Sequence, residues 1–535
     1  MRQHMRMSLG VVTVGTAAAM AVAGCGGSSP GHGGNSSSSS KTVVMGTTDR
    51  IVSLDPAGSY DIGSGTPELN IYQQLLKIAP GGTQPVPDAA SCAWQDAKNP
   101  VTYICTMKPG QRFSNGDPLT AADAAYSFRR VLKIASPNGP ASLLATMKTV
   151  TSSGDKVTFT LTGPNAVWPY VLTSAAGYLV DPKVFPADKI LADTKVIGSG
   201  PYELSKYIPD QLLALKPNPH YGGTDKLANQ EFIVKYEQNA STLVSDVRSG
   251  SIDIAYRDMS PTQVKSLTNA PGVDVIYGHG IEIRYLVFNM KSQPGNTTAQ
   301  KHAIRQAIAY LVNRQDIASA AYNDTVKPLY SIIASGLTGH TNAFASVYGT
   351  TPNPAKAKQV LAAAGVKTPV SFTLWYNTNH YGEASTDEYT EVQRQLDASG
   401  LFKVTLNTAD WASYVKAATS DQYGVYQLGW FPDYPDADDY TAPFYVDCNP
   451  KIPDFMNNHY CNQTVDKLTA QEEKTTDPAA RTRIFGKIQQ LTAQDAPLIP
   501  LWQGGQIAAV RSGVTGVSQT LDPSYNFRFW LVGKS

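Results

Sequence analysis

The densest run of reactive side chains lies between Gly429 and Tyr440, reading Gly429-Trp430-Phe431-Pro432-Asp433-Tyr434-Pro435-Asp436-Ala437-Asp438-Asp439-Tyr440. Four carboxylates stand among four aromatic rings and two prolines. A carboxylate between aromatic walls suits a cationic group, because partial desolvation strengthens the ion pair and a ring face attracts ammonium. The prolines stiffen such a loop. Three plainer readings compete: a solvated acidic loop, a calcium site, or rings that belong to the core. The run lacks the Gly at position 6 and Glu at position 12 of an EF-hand loop. Core rings are compatible with a neighbouring carboxylate that meets a ligand.

Catalytic signatures are missing from the sequence. There is no GxSxG elbow, no HExxH and no P-loop. The eight histidines are scattered, and none lies in the acidic loop. Ser and Asp are abundant, so a surface-anchored hydrolase with a cryptic triad stays open as the alternative of another class. No cofactor and no metal ligand set is expected.

Elements must position the loop. Val425-Tyr426-Gln427-Leu428 alternates like a strand, so the acidic run leaves a strand end. Upstream, Val43-Val44-Met45-Gly46 reads as a strand. Ser91–Gln95 and Val101–Met107 flank the polar turn Asp96-Ala97-Lys98-Asn99-Pro100 and form a hairpin. Thr120 and Asp123 have the spacing of a capping box, which predicts a helix through about Leu132. Ala303, Ile304, Ala307, Ile308, Leu311 and Val312 repeat at helical spacing and predict a helix over Ala299–Asn313. Asn353-Pro354, then Ala355–Ala364 and Gly365, supply an N-cap, Pro at N1 and a terminal Gly.

The 535-residue chain is too long for one core, so two or three lobes are expected. Hydrophobic content of 42% and charge of 16% describe a globular chain. A net charge of +1 gives no electrostatic case for nucleic acid or an anionic membrane surface. Five cysteines occur: Cys25, Cys92, Cys105, Cys448 and Cys461. With Cys25 set aside, an even number remains in an exported protein, which points to disulfides. Three connectivities are possible, and local pairing of Cys92 with Cys105 and Cys448 with Cys461 is the simplest. No CxxC spacing supports zinc.

The address is written at the N-terminus. Arg2, His4 and Arg6 precede the apolar stretch Leu9–Ala23, followed by Val22-Ala23-Gly24-Cys25, the pattern of a secretory signal. The stretch is shorter than the ~20 residues that span a bilayer. Small residues before Cys25 resemble a bacterial lipobox, which implies cleavage of residues 1–24 and acylation of Cys25. Gly26–Ser40 reads GGSSPGHGGNSSSSS, a flexible tether with an rms reach of roughly 20 Å.

Several segments carry a family resemblance. Met107-Lys108-Pro109-Gly110-Gln111-Arg112-Phe113-Ser114-Asn115-Gly116-Asp117-Pro118-Leu119-Thr120-Ala121-Ala122-Asp123 resembles the most recognisable signature of the extracytoplasmic solute-binding proteins of peptide and nickel ABC importers, the bacterial family 5 of oligopeptide- and dipeptide-binding type. Gly198-Ser199-Gly200-Pro201-Tyr202 resembles its GTGPY stretch, Asn218-Pro219-His220-Tyr221 its NPxYW stretch, and Ser249–Ile254 its GEIDI step. Tyr285–Asn289, Pro354–Gly365 and Ala496-Pro497-Leu498-Ile499-Pro500 continue the match in order, over about Val43 to Trp502.

The resemblance implies an α/β, two-lobed periplasmic-binding-protein-like fold of type II, with an extra domain and a ligand cleft between hinged lobes. It places lobe I at 41–60, 185–280 and 485–535, the extra domain at 61–184 and lobe II at 281–484. It implies capture of peptides for an ABC permease with cytoplasmic ATPases, by a monomer on the extracytoplasmic face of the cell membrane. An oligosaccharide or a metal chelate is the alternative solute. Peptide binders of this type pair an Asp after a Gly-Trp step with the peptide ammonium. The matching position is Asp433, with Gly429, Trp430, Phe431 and Tyr434 beside it. Asp436, Asp438 and Asp439 exceed what one ammonium needs, and are expected either to face solvent or to serve a strongly cationic ligand.

Overall fold

The computed structural model describes residues 42–445, 448 and 455–535. The signal, Cys25 and the Gly26–Ser40 tether lie outside them. The first expected strand forms over Thr42–Thr47 and pairs in parallel with Glu231–Tyr236 and Ile254–Tyr256. It sits inside a seven-stranded sheet, whose order is Val273–Tyr277, Ile507–Arg511, Ile254–Tyr256, Thr42–Thr47, Glu231–Tyr236, Leu212–Pro217, Tyr202–Ile208. A six-stranded sheet runs Val326–Pro328, Leu498–Gly504, Ile283–Phe288, Val425–Trp430, Val370–Tyr376, Phe402–Thr408. Both sheets mix parallel and antiparallel pairs. The molecule is thus two-lobed and α/β, one lobe to each sheet.

A four-stranded antiparallel sheet carries a third core. Its hairpin, Ala90–Trp94 with Thr102–Met107, sets Cys92 opposite Cys105. A disulfide joins the two, with their Cα atoms 4.0 Å apart. Tyr103, Cys105 and Met107 are buried on one face, as alternation requires. The helix Ala121–Ile134 packs on this sheet and starts in the expected capping box, where Thr120 and Asp123 exchange hydrogen bonds. Cys448 and Cys461 are likewise joined, in the second lobe.

Helix ends follow their caps. The helix expected over 299–313 runs Thr298–Leu311, with Thr297 as its N-cap. It stops two residues early because Asn313 caps the next helix, Arg314–Tyr322, and so takes an extended backbone. Asn353 caps Pro354–Ala363, accepting from the Lys356 amide at 3.0 Å.

The chain passes between the two large sheets twice, at 278–282 and at 505–506. These passages run side by side: the Gly278 amide donates to the Gln506 carbonyl at 2.8 Å, and the Gly504 amide to the Glu282 carbonyl at 2.9 Å. The expected return to lobe I at residue 485 is corrected by the second passage. Residue 485 lies inside the helix Pro478–Asp495, and Leu498–Gly504 pairs with Ile283–Phe288 and Val326–Pro328 in the six-stranded sheet. The buried positions Ile484, Phe485 and Ile488 tie that helix to the second lobe's core.

Candidate ligand-binding site

The site grows from the strand Val425–Trp430. It lies between Ile283–Phe288, antiparallel, and Val370–Tyr376, parallel. A strand flanked on both sides and covered on both faces buries every residue from Val425 to Gly429, polar Gln427 included. Gly429 is there for close approach. A Cβ at this position would lie 2.8 Å from both Cδ and Cζ of Arg284. That guanidinium pairs with Glu282 at 2.5 Å and lies over the rings of Tyr381 and Trp502, at 4.4 and 5.1 Å.

Beyond the strand the loop is knitted to itself. Asp439 Oδ2 accepts from the Asp433 amide at 2.7 Å and from the Trp430 indole at 3.3 Å. Asp438 Oδ2 accepts from the Tyr434 hydroxyl at 2.9 Å. Asp436 takes both nitrogens of Arg481, at 3.0 and 2.6 Å, and Arg481 also reaches Glu472 at 2.9 Å. Asp436, Asp438 and Asp439 are 4%, 4% and 2% exposed. This corrects the expectation for these three: none faces solvent, and the protein supplies the partners of Asp436, Asp439 and Asp438 Oδ2, while Asp438 Oδ1 has no hydrogen-bond partner among the described residues. Burial pushes the Asp439 carboxyl well above its usual range. Burial does the same to Glu472, with Asp438 adding to the rise and Arg481 opposing it.

Asp433 differs from the other three. It lines a cavity of about 530 Å³ together with Phe431 and Tyr434 of the same loop. The opposite wall comes from the first lobe and the unit beside it: Tyr60, Asp61, the helix Ile62–Ile71, Tyr178, and the segment Ser524–Phe527. Most of this wall is apolar. The Tyr60 hydroxyl donates to Asp433 Oδ1 across it. Burial raises the Asp433 carboxyl above its usual range, and the hydrogen bond from Tyr60 partly opposes the rise. Phe431 meets Tyr525 edge-on, with ring centroids 4.3 Å apart, and Tyr434 faces Tyr170 at 6.0 Å.

Of the five expected ligand-contacting residues, Phe431, Asp433 and Tyr434 lie on the cavity wall. Gly429 and Trp430 lie outside its lining. Trp430 packs edge-on against Phe444 and Phe455, at 5.2 and 4.7 Å, which makes it a support of the loop. Sequence reading missed Tyr60, Asp61, His380 and Tyr525. Asp61 carried a local signal, because Asp three residues before Ser64 has N-cap spacing. The other three come from distant segments and had none.

Known proteins agree with this architecture. Over residues 84–451 the chain matches the family described as bacterial extracellular solute-binding proteins, family 5 Middle. It is 28% identical over 487 residues to the Probable D,D-dipeptide-binding periplasmic protein DdpA of Escherichia coli K12, covering 89% of this chain and 90% of that protein. It is 24% identical over 495 residues to the glutathione-binding protein GsiB of the same strain, covering 91% and 94%. Among solved structures, the ABC transporter-associated periplasmic binding protein DppA from Helicobacter pylori, in complex with the peptide STSA, superposes with a TM-score of 0.72 at 20% identity, covering 92% of this chain and 98% of that one. With a family match across more than half its length, on a two-lobed frame with a cavity between the lobes, this chain belongs to the bacterial extracellular solute-binding proteins of family 5.

Proposed function

We propose that this protein is the capture component of an ABC importer and takes peptides by their amino end. One observation carries the reading: Asp433 presents a partly desolvated carboxylate to an apolar cavity between the lobes, with the Tyr60 hydroxyl as its side-chain partner. An ammonium placed there gains a charge-assisted hydrogen bond that water attenuates little. Phe431 and Tyr434 flank it and supply apolar contact. The relatives named for D,D-dipeptides and glutathione, and the neighbour solved with a peptide, support this ligand class.

Ligand bridging both walls favours the closed arrangement by its differential affinity for that state. The passages at 278–282 and 505–506 are the pivot in this reading. Lobe I comprises 41–60, 185–280 and the chain after 505, the extra domain 61–184, and lobe II 281–504. Closed protein then docks on a permease driven by cytoplasmic ATPases. Acylation at Cys25 and the Gly26–Ser40 tether keep the monomeric receptor at the extracytoplasmic face of the membrane.

Calorimetric titration with di- to tetrapeptides and their N-acetylated forms tests the proposal. Free peptides are expected to bind, and acetylation or Asp433→Asn to weaken them by about 10- to 100-fold. Equal affinity for acetylated and free peptides removes Asp433 from this role.

A further inference from the structure

The charges around the cavity are one-sided. Its wall carries two carboxylates, Asp433 and Asp61, and among the described residues that line it there is neither lysine nor arginine. His380 is the single basic side chain of that lining. Its ring stacks on Trp411 at 3.8 Å. Burial, helped by Arg284, holds the imidazole below its usual range, so near neutral pH it adds no positive charge. Three guanidinium groups stand behind the wall among the described residues, and all are committed: Arg528, bonded to the carbonyls of Ile78 and Asn526, pairs with Asp522 at 2.6 Å. Arg257, 5.8 Å from the Phe431 ring, pairs with Asp49 at 3.1 Å, and Arg284 pairs with Glu282 at 2.5 Å.

Asp61 has a capacity that the fold does not use. Its Oδ1 caps the helix Ile62–Ile71, accepting from the Ser64 amide at 2.9 Å. Its Oδ2 is buried and has no hydrogen-bond partner among the described residues. That oxygen is covered, so what Asp61 adds to the cavity is a second negative charge that no cation of the lining offsets. Tyr60, the preceding residue, donates to Asp433, so the two carboxylates stand on facing walls that this bond joins.

Resting on the reading of Asp433 as ammonium partner, we infer that the cavity selects ligands of net positive charge. Their ammonium meets Asp433, the charge of Asp61 adds to its attraction, and their far end is amidated, otherwise capped or simply uncharged. A zwitterionic peptide brings its own carboxylate into a site that already holds two like charges and no cation, at a Coulombic and desolvation penalty. The ligand class is therefore narrower than peptides at large: cationic peptides and peptide-like amines without a free carboxyl end.

The test titrates four probes at pH 7: phenylalanyl-alanyl-alanine, its C-terminal amide, its N-acetyl form, and phenethylamine. The amide is expected to bind at least about tenfold tighter than the free acid, since one like charge is removed from a partly desolvated site. Asp61→Asn keeps the helix cap, because Asn caps as well as Asp. Its thermal midpoint is expected to stay in place while the preference for the amide shrinks at least about threefold. Equal or weaker binding of the amide overturns the inference and leaves peptide capture standing. So does an amide preference unchanged in Asp61→Asn. If no peptide form binds but phenethylamine does, and Asp433→Asn abolishes that binding, the charge inference holds and the peptide reading falls. If nothing binds, both fall.

Discussion

Tyr60 donates its hydroxyl hydrogen to Asp433 across the cavity, from a position 373 residues away in the chain. One partner belongs to the segment entering the helix Ile62–Ile71, the other to the loop leaving the strand Val425–Trp430. The bond spans the space that the ligand is proposed to fill, and among the described residues it is the one side-chain hydrogen bond to the Asp433 carboxylate.

The first prediction concerns pH. Only ionised Asp433 pairs with an ammonium, so affinity is full above the carboxyl pKa of the free protein and is lost as pH falls through it. Burial has raised that pKa, so the loss is expected to begin above the ordinary carboxylate range. The Tyr60 hydrogen bond works the other way. Tyr60→Phe removes it, and the affinity loss on acidification is expected to start at a higher pH than in wild type. Titrations from pH 8 to pH 4 on both proteins check the order. A profile at the same or lower pH in Tyr60→Phe contradicts it.

Arg481→Met is predicted to destabilise the second lobe by about 3–5 kcal/mol, because it strands buried Asp436 and Glu472 without their cation. Denaturant unfolding reads this directly. Arg481→Lys is expected to fall between, since an ammonium cannot reproduce the two-nitrogen grip on Asp436.

Gly429→Ala is predicted to cost about 1–3 kcal/mol by overpacking. The new methyl drives into Arg284, which Glu282, Tyr381 and Trp502 hold in place. Ligand affinity is expected to fall with it, because the displaced strand end carries the loop. A stable variant with unchanged affinity would show that the strand end has room to shift.

Replacing Cys92 and Cys105 together by Ser is predicted to lower stability by about 3 kcal/mol, the chain-entropy value for a loop closed over 13 residues. The loss is expected to stay within the four-stranded unit and to leave peptide affinity unchanged, since neither cysteine lines the cavity that holds Asp433; Cys92 lines a separate cavity of about 570 Å³ with Trp94, Asp436 and Arg481. Unfolding curves and calorimetry separate the two effects.

Local patterns were legible in the sequence. The capping box at Thr120, the Asn353-Pro354 helix start and the hairpin stapled by Cys92 and Cys105 each depend on residues a few positions apart, and each formed as read. The position of Asp433 at the end of a strand was legible for the same reason. The fates of its neighbours were not. Asp436 finds Arg481 45 residues on, Asp433 finds Tyr60 in another segment, and Gly429 is required by Arg284 on the adjacent strand. A run of four aspartates looks alike whether its partners are water, a ligand or a distant arginine. The return to lobe I was misplaced for a related reason: the helix Pro478–Asp495 carries no mark of which core it joins.

The loop's internal bonds have a consequence for how binding is driven. Asp439 fixes the Asp433 amide and the Trp430 indole, Asp438 fixes Tyr434, and Arg481 fixes Asp436. A free loop loses about 1–2 kcal/mol of conformational entropy per residue when a ligand orders it. Here that loss was incurred when the chain folded, so arriving ligand meets a wall already in its final shape. The entropy left to change on capture lies in the ligand, in released water and in the rotation of one lobe against the other.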